Sequence, residues 1–226
     1  MQELALPMGR ALGLSDNQLD ELALLAALHD IGKIAIAKTI LTKPGKLSPD
    51  EWAIMKKHPE IGYRIAMACQ DLIPIAEAIL AHHERWDGAG YPQGLRGENI
   101  PLVSRIISVI DAYDVITNGR VYQEAASVTE AIDELHRCAG TQFDPALVDM
   151  FAEMLCKMTE HGEMLPGEER DRDNHRGNGS AKEVTGELIF RYIANAEVCA
   201  RSPMDEGDPA WILADQRVPL GAGTED

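Results

Sequence analysis

The sequence predicts an all-α protein: from Ser15 to about Met158 it reads as a run of capped helices, apolar residues recur at helical spacing, and almost no period-two alternation marks a strand. Ser15 with Gln18 makes a capping box for a helix whose inward positions are Leu22, Leu25, Ala26 and His29. His29 is therefore expected on an apolar face. Ser48, Pro49 and Glu51 supply the N-cap, N1 and N3 of a second helix. Pro59, at N1 of a third, interrupts the backbone bonding just after His58 and puts that histidine at a helix junction. Asp71 is the expected cap of a helix through Ile75 and Ile79 whose last turn holds His82 and His83, before a turn-rich stretch from Asp87 to Gly97. After Pro101 a further helix brings Asp111 and Asp114 near one side, with Gly119 as its expected C-cap. Ser127 with Glu130, then Asp144 with Pro145, open two more.

Past Met158 the character changes. His161 to Ala181 is rich in Gly, Glu, Asp, Arg and Asn and poor in large apolar residues, which reads as a linker. The expected organisation is a helical domain over residues 1–157, a linker over 158–181, and a poorly structured tail over 182–226 in which Glu183 to Cys199 could form one short helix. At 226 residues the chain is long enough for one well-packed domain plus an appendage, and it holds no internal repeat.

Composition bounds the function. No apolar run reaches the roughly 18 residues of a membrane span, and Met1 is followed by Gln2 and Glu3 rather than a basic segment with an apolar core, so a soluble cytoplasmic chain is expected. Cys69, Cys138, Cys156 and Cys199 form no C-x-x-C pair, which fits neither a disulfide framework nor a zinc clip. A formal charge of −16 opposes binding to DNA or to anionic membranes, so an anionic substrate would need bound cations to offset that field.

Such cations have candidate ligands. Four of the seven histidines fall between residues 29 and 83 on inward faces or helix junctions. Asp30 and Asp111 each follow an apolar helix position by four residues, where an unpaired carboxylate would be costly. Imidazoles and carboxylates together suit iron, manganese, nickel or zinc better than magnesium alone. Adjacent helix residues diverge by about 100°, so His29 with Asp30, and His82 with His83, can face two neighbouring metals bridged by Asp30. The negative end of the His82 helix favours cations there. Each feature also has a plain structural reading: a His-Asp pair as a hydrogen-bonded core pair, His82 and His83 as caps, Gly88, Gly90 and Pro92 as turn chemistry, Lys33 and Arg120 as solvated charges.

The joint order decides between these readings. HDIGK at 29–33, KHPEIG at 57–62, HHERWDGAGYP at 82–92 and IPLVSRIISVIDAYDVITNGRVY at 100–122 closely resemble the HD-GYP family, a branch of the HD phosphohydrolase superfamily, and the match runs on through GTQFDPALVDMF at 140–151. The resemblance implies an HD-domain helical bundle, a centre of two or three divalent metal ions, iron or manganese, and hydrolysis of the bacterial second messenger cyclic di-GMP to pGpG or GMP. His29, Asp30, His58, His82, His83 and Asp111 match the family's metal ligands, with Asp30 as bridge and Lys33 beside the phosphate as a second catalytic group. Asp114 and Arg120 match positions on the substrate side, where Arg120 would grip a phosphate through its planar fork. Gly90, Tyr91 and Pro92 form the signature loop, linked in this family to the shape of the site and to contacts with partner GGDEF domains. A homodimer is compatible with it.

The pattern departs from the family at two places. The family's first helix commonly brings a histidine, and in trinuclear members a glutamate, from a point upstream of Met1, so Glu3 to Leu14 reads as the end of that helix and the chain as a domain cut just inside its start. Gln123 stands where many members carry a basic residue. Two other functions use the same residues: an HD hydrolase acting on another nucleotide, and an inactive module that binds cyclic di-GMP or a GGDEF partner. Under the hydrolase reading, Asp30→Ala is expected to lose turnover and keep the bundle.

Overall fold

The computed structural model describes residues 1–118 and 126–160. Its elements are helices α1 (Gln2–Ala11), α2 (Asp16–Leu28), α3 (Lys38–Leu41), α4 (Pro49–Met55), α5 (His58–Met67), α6 (Ala76–Ala81), α7 (Leu102–Thr117), α8 (Val128–Arg137) and α9 (Pro145–Glu160), with 3₁₀ turns at Ile31–Ala35, Gln70–Ile75 and Gly97–Asn99. Among the described residues there is no strand, only an isolated bridge between Ala139 and Phe143. The expected all-α class holds.

Local chemistry explains several helix starts. Reciprocal capping boxes open α2 at Ser15 and Gln18, α4 at Ser48 and Glu51, and α8 at Ser127 and Glu130. At α9 the Asp144 carboxylate accepts from the Ala146 N–H at 3.0 Å. Asp71 does not cap α6. It sits inside the 3₁₀ turn Gln70–Ile75, because Pro74 offers no N–H and its ring blocks α-helical bonding behind it. The helix then starts at Ala76 and ends at Ala81, so His82 is its C-cap and His83 lies beyond it rather than in the last turn. Asn118 closes α7 by donating to the Asp114 carbonyl from both its backbone nitrogen and Nδ2; Gly119 lies outside the described residues. So does the expected linker from residue 161, together with the tail, while α9 runs on to Glu160.

The core gathers one face of each long helix. Leu4 and Met8 of α1, Leu22 and Leu25 of α2, Ile79 of α6, Ile106, Ile110 and Tyr113 of α7, and Phe151 and Leu155 of α9 are fully buried in one cluster. Burying each such side chain contributes about 1.5–3 kcal/mol before entropy is counted. A smaller cluster of Ile36, Ile40, Leu41 and Met55, flanked by Trp52 and Ile61, fastens α3 and α4 beside it. The 3₁₀ turn after α2 lies directly on α5: a Cβ at Gly32 would fall 1.9 Å from the His58 carbonyl oxygen and 2.6 Å from the Gly62 nitrogen. Only glycine lets the two backbones approach so closely. That contact joins the segment carrying His29 and Asp30 to the helix carrying His58. No described helix is long and apolar enough to cross a membrane.

Candidate metal centre

Each histidine reaches the centre from the end of a helical element. His29 follows the last residue of α2, Asp30 precedes the 3₁₀ turn, His58 is the first residue of α5, and His82 and His83 follow α6. Ser104 of α7 donates to the Ala78 carbonyl at 3.0 Å and holds α6 in register. His29, Asp30, His58 and His82 are buried, and His83 is partly so.

Backbone carbonyls orient two of the rings. His58 Nδ1 lies 2.9 Å from the Met55 carbonyl oxygen and His82 Nδ1 lies 2.5 Å from that of Ile79. A carbonyl only accepts, so each Nδ1 carries the proton and each Nε2 presents a lone pair. Those lone pairs converge: His58 Nε2 is 3.2 Å from His82 Nε2 and 3.1 Å from His83 Nε2. With Asp30 they form a group whose ligand atoms all lie within 4.8 Å of one another. Asp30 Oδ1 approaches His58 Nε2 to 3.4 Å and His82 Nε2 to 3.7 Å, yet it has no hydrogen-bond partner. Buried acceptors turned towards one another repel unless a cation sits among them, so this donor set could hold a divalent metal.

The other Asp30 oxygen faces a different set. Oδ2 lies 3.3 Å from His29 Nε2 and 2.7 Å from Lys33 Nζ, and His29 Nε2 is 4.0 Å from Asp111 Oδ1. His29 Nδ1 is buried without a partner. Asp30 thus stands between two groups, and His29 and Asp111 belong to the second of them.

Electrostatics follow this division. Burial disfavours the charged form of Asp30, but Lys33 and His29 outweigh it and hold the carboxyl well below its ordinary range. Burial also opposes a charged His29, yet the Asp30 carboxylate prevails and raises that imidazole to about 9. His58 and His82 are pushed below their ordinary value by burial, assisted at both by the neighbouring His83.

Lys33 is 0% exposed, so the plain reading of it as a solvated surface charge is wrong. Asp114 lies further along α7, a third exposed, with Oδ1 3.7 Å from the Met1 nitrogen. Arg120 and Gln123 fall outside the described residues. The loop Gly90, Tyr91 and Pro92 meets the centre at His83: the Tyr91 ring stacks on His83 at 5.0 Å and 26°, and Trp52 of α4 meets Tyr91 edge-on at 6.2 Å. A Cβ at Gly90 would come within 2.4 Å of the Arg85 nitrogen, so this glycine is needed for close approach and not merely as turn chemistry.

Sequence reasoning missed the residues that brace this loop. Glu84 accepts from three backbone N–H groups, Arg85 forks onto Asp87 at 3.0 and 2.6 Å, and the Trp86 and Asp87 amides donate to the Gln142 and Thr141 carbonyls. Arg105 bridges to Asp144 at 2.7 Å with its guanidinium 5.8 Å from the Trp86 ring centroid. Periodicity cannot register loop acceptors of this kind. The sole signal for Glu84 and Arg85 was their place directly after His82 and His83.

The HD domain family profile matches residues 1–147. The cyclic di-GMP phosphodiesterase response regulator RpfG of Xanthomonas campestris pv. campestris is 44% identical over 151 residues, covering 66% of this chain and 40% of the relative. A cyclic di-GMP phosphodiesterase of Thermotoga maritima is 38% identical over 183 residues, covering 79% and 48%. A 3'3'-cGAMP-specific phosphodiesterase 2 of Vibrio cholerae is 41% identical over 143 residues, covering 62% and 27%. Bd1817, an HDG"Y"P protein of Bdellovibrio bacteriovorus, has a similar fold, with a TM-score of 0.54 at 24% identity over 69% of this chain and 50% of that one. The matched region thus spans less than half the length of these curated relatives.

Proposed function

The chain belongs to the HD domain family, and from that premise we infer that it is a metal-dependent phosphodiesterase that hydrolyses cyclic di-GMP to pGpG or GMP in bacterial signalling. The observation that carries this reading is the buried convergence of His58, His82 and His83 Nε2 on Asp30, whose Oδ1 lacks any hydrogen-bond partner. The residues that would hold the metal ions are His29, Asp30, His58, His82, His83 and Asp111, and Asp30 turns one oxygen towards His58 and the other towards His29. Imidazole and carboxylate donors without thiolate favour iron or manganese, in two or three sites. Such ions, when bound, supply Lewis acidity and make water a nucleophile at neutral pH.

The chain's own groups do the rest. Lys33 keeps Asp30 ionised and brings a fixed positive charge to the floor of the site, where phosphate oxygens gather charge. Carbonyl bonds from Met55 and Ile79 hold the His58 and His82 lone pairs inward without needing reorganisation. Tyr91 packs its ring against the His83 imidazole. Asp114 and Arg120 are assigned to the substrate side, and residues 90–92 to the site's rim and to contact with a GGDEF-domain partner. The reading keeps the helical domain, expected over residues 1–157 and carried to Glu160 by α9, as the working part, with the rest up to 181 as linker and 182–226 as tail, in the bacterial cytoplasm and able to form a homodimer.

A second substrate is favoured by one specific observation: a relative named for 3'3'-cGAMP is 41% identical, close to the 44% of one named for cyclic di-GMP. Anaerobic reconstitution with iron or manganese, elemental analysis, and chromatography of products from both dinucleotides test the assignment together. The expected result is at least two metals per chain and linear product from cyclic di-GMP in preference to cGAMP. The reverse preference moves the substrate, and dinucleotide binding without turnover in a metal-loaded preparation makes the chain a binding module instead.

A further inference from the structure

The group with no role in the chemistry above is Glu84, a buried carboxylate directly after His83. Its side chain turns away from the centre. Oε1 accepts from the Gln93 N–H at 2.7 Å and the Gly94 N–H at 3.1 Å, and Oε2 accepts from the Leu95 N–H at 3.0 Å. Burying an acid costs several kcal/mol unless its lone pairs are engaged, and here successive backbone donors engage them. What Glu84 holds is the segment that returns after the Tyr91 turn. Tyr91 is fixed from the other side, since its N–H donates to the His83 carbonyl at 3.3 Å and a Cβ on Gly90 would fall 2.5 Å from the Glu84 Cα. Between those two anchors the Tyr91 ring lies on the His83 imidazole.

We propose that Glu84 is a positioning residue of the metal site: by pinning the backbone of residues 93–95 it sets Tyr91 against His83 and fixes the angle at which the His83 Nε2 faces the centre. His83 lies beyond the end of α6 and is more exposed than His58 or His82. The Tyr91 ring, held from the far side of the loop, packs directly on its imidazole. The proposal rests on the metal-site reading, so its test separates the two.

The full chain is stripped of metal and titrated with cobalt(II), following the visible ligand-field bands, for the parent, Glu84→Gln, Tyr91→Leu and the double variant. Gln has the shape of Glu, but its amide can accept through one oxygen alone, so the segment loosens without losing volume. Glu84→Gln is expected to bind cobalt about tenfold more weakly with altered band intensity, in the range found for outer partners of metal ligands. Tyr91→Leu should do the same, and the double variant should be no more than about twofold worse than either single. Cobalt affinity within about twofold of the parent in Glu84→Gln, or two effects that multiply, overturns the proposal. Should Glu84→Gln fail to fold, Tyr91→Leu decides alone, because unchanged affinity and bands there remove the route through His83. A parent chain that shows no ligand-field band sinks the metal-site reading and this proposal with it.

Discussion

At the scale of single residues, the Asp30–Lys33 pair changes which variant is informative. Lys33 is fully buried and its ammonium lies 2.7 Å from Asp30 Oδ2. Asp30→Ala would strand that charge at a cost of roughly 3–5 kcal/mol, so a loss of turnover there would confound chemistry with stability, against the sequence-based expectation that the bundle survives. Asp30→Asn keeps the volume and one acceptor. It should lower turnover by at least about 100-fold while the far-ultraviolet circular dichroism stays that of the parent. Lys33→Met should act oppositely on binding and rate. Removing a cation that competes for the same carboxylate should tighten manganese binding several-fold by equilibrium dialysis, while turnover falls by about 100-fold because the charge beside the phosphate is gone.

At the scale of elements, caps and contacts predict graded costs. Ser127→Ala should destabilise the chain by about 1 kcal/mol in urea unfolding, through loss of a capping box on α8 that faces nothing in the centre. Gly32→Ala should be much worse, roughly 3 kcal/mol or more, because the new methyl meets the His58 backbone, which cannot move without moving a ligand. The caps were legible because a side-chain acceptor and its backbone donor lie within three residues of one another. Apolar periodicity and Pro59 gave equally local signals for His29 and His58, which lie at the end of α2 and at the start of α5. The start of α6 was misread, since Asp71 has the look of a cap and Pro74 overrides it. The burial of Lys33 and the bracing by Glu84, Arg85 and Arg105 were not legible, because each depends on partners brought close by the fold rather than by spacing.

At the scale of the whole molecule, the centre makes stability depend on pH. In metal-free protein His29 rises from 6.5 to about 9, so its contribution is fully present below 6.5 and is lost as pH climbs through 9. His58 and His82 are depressed, so their contribution is present above 6.5 and is lost as pH falls through their lowered values. Thermal melts of chelated protein should therefore peak near pH 6.5 and decline on both sides. Metal loading should raise the melting temperature and flatten the alkaline side, since a cation replaces the proton that His29 would otherwise lose.

The brace between the signature loop and the α8–α9 turn has a further consequence. The Trp86 and Asp87 amides donate to Gln142 and Thr141, residues some 55 positions later in the chain, and Arg85 reaches Gln142 as well. Those two amides can exchange their hydrogens with solvent only when distant stretches of chain part company, so the loop and the turn should open as one cooperative unit. Deuterium uptake at Trp86 and Asp87 would then keep pace with that at the start of α9, and it should slow when a ligand settles beneath Tyr91.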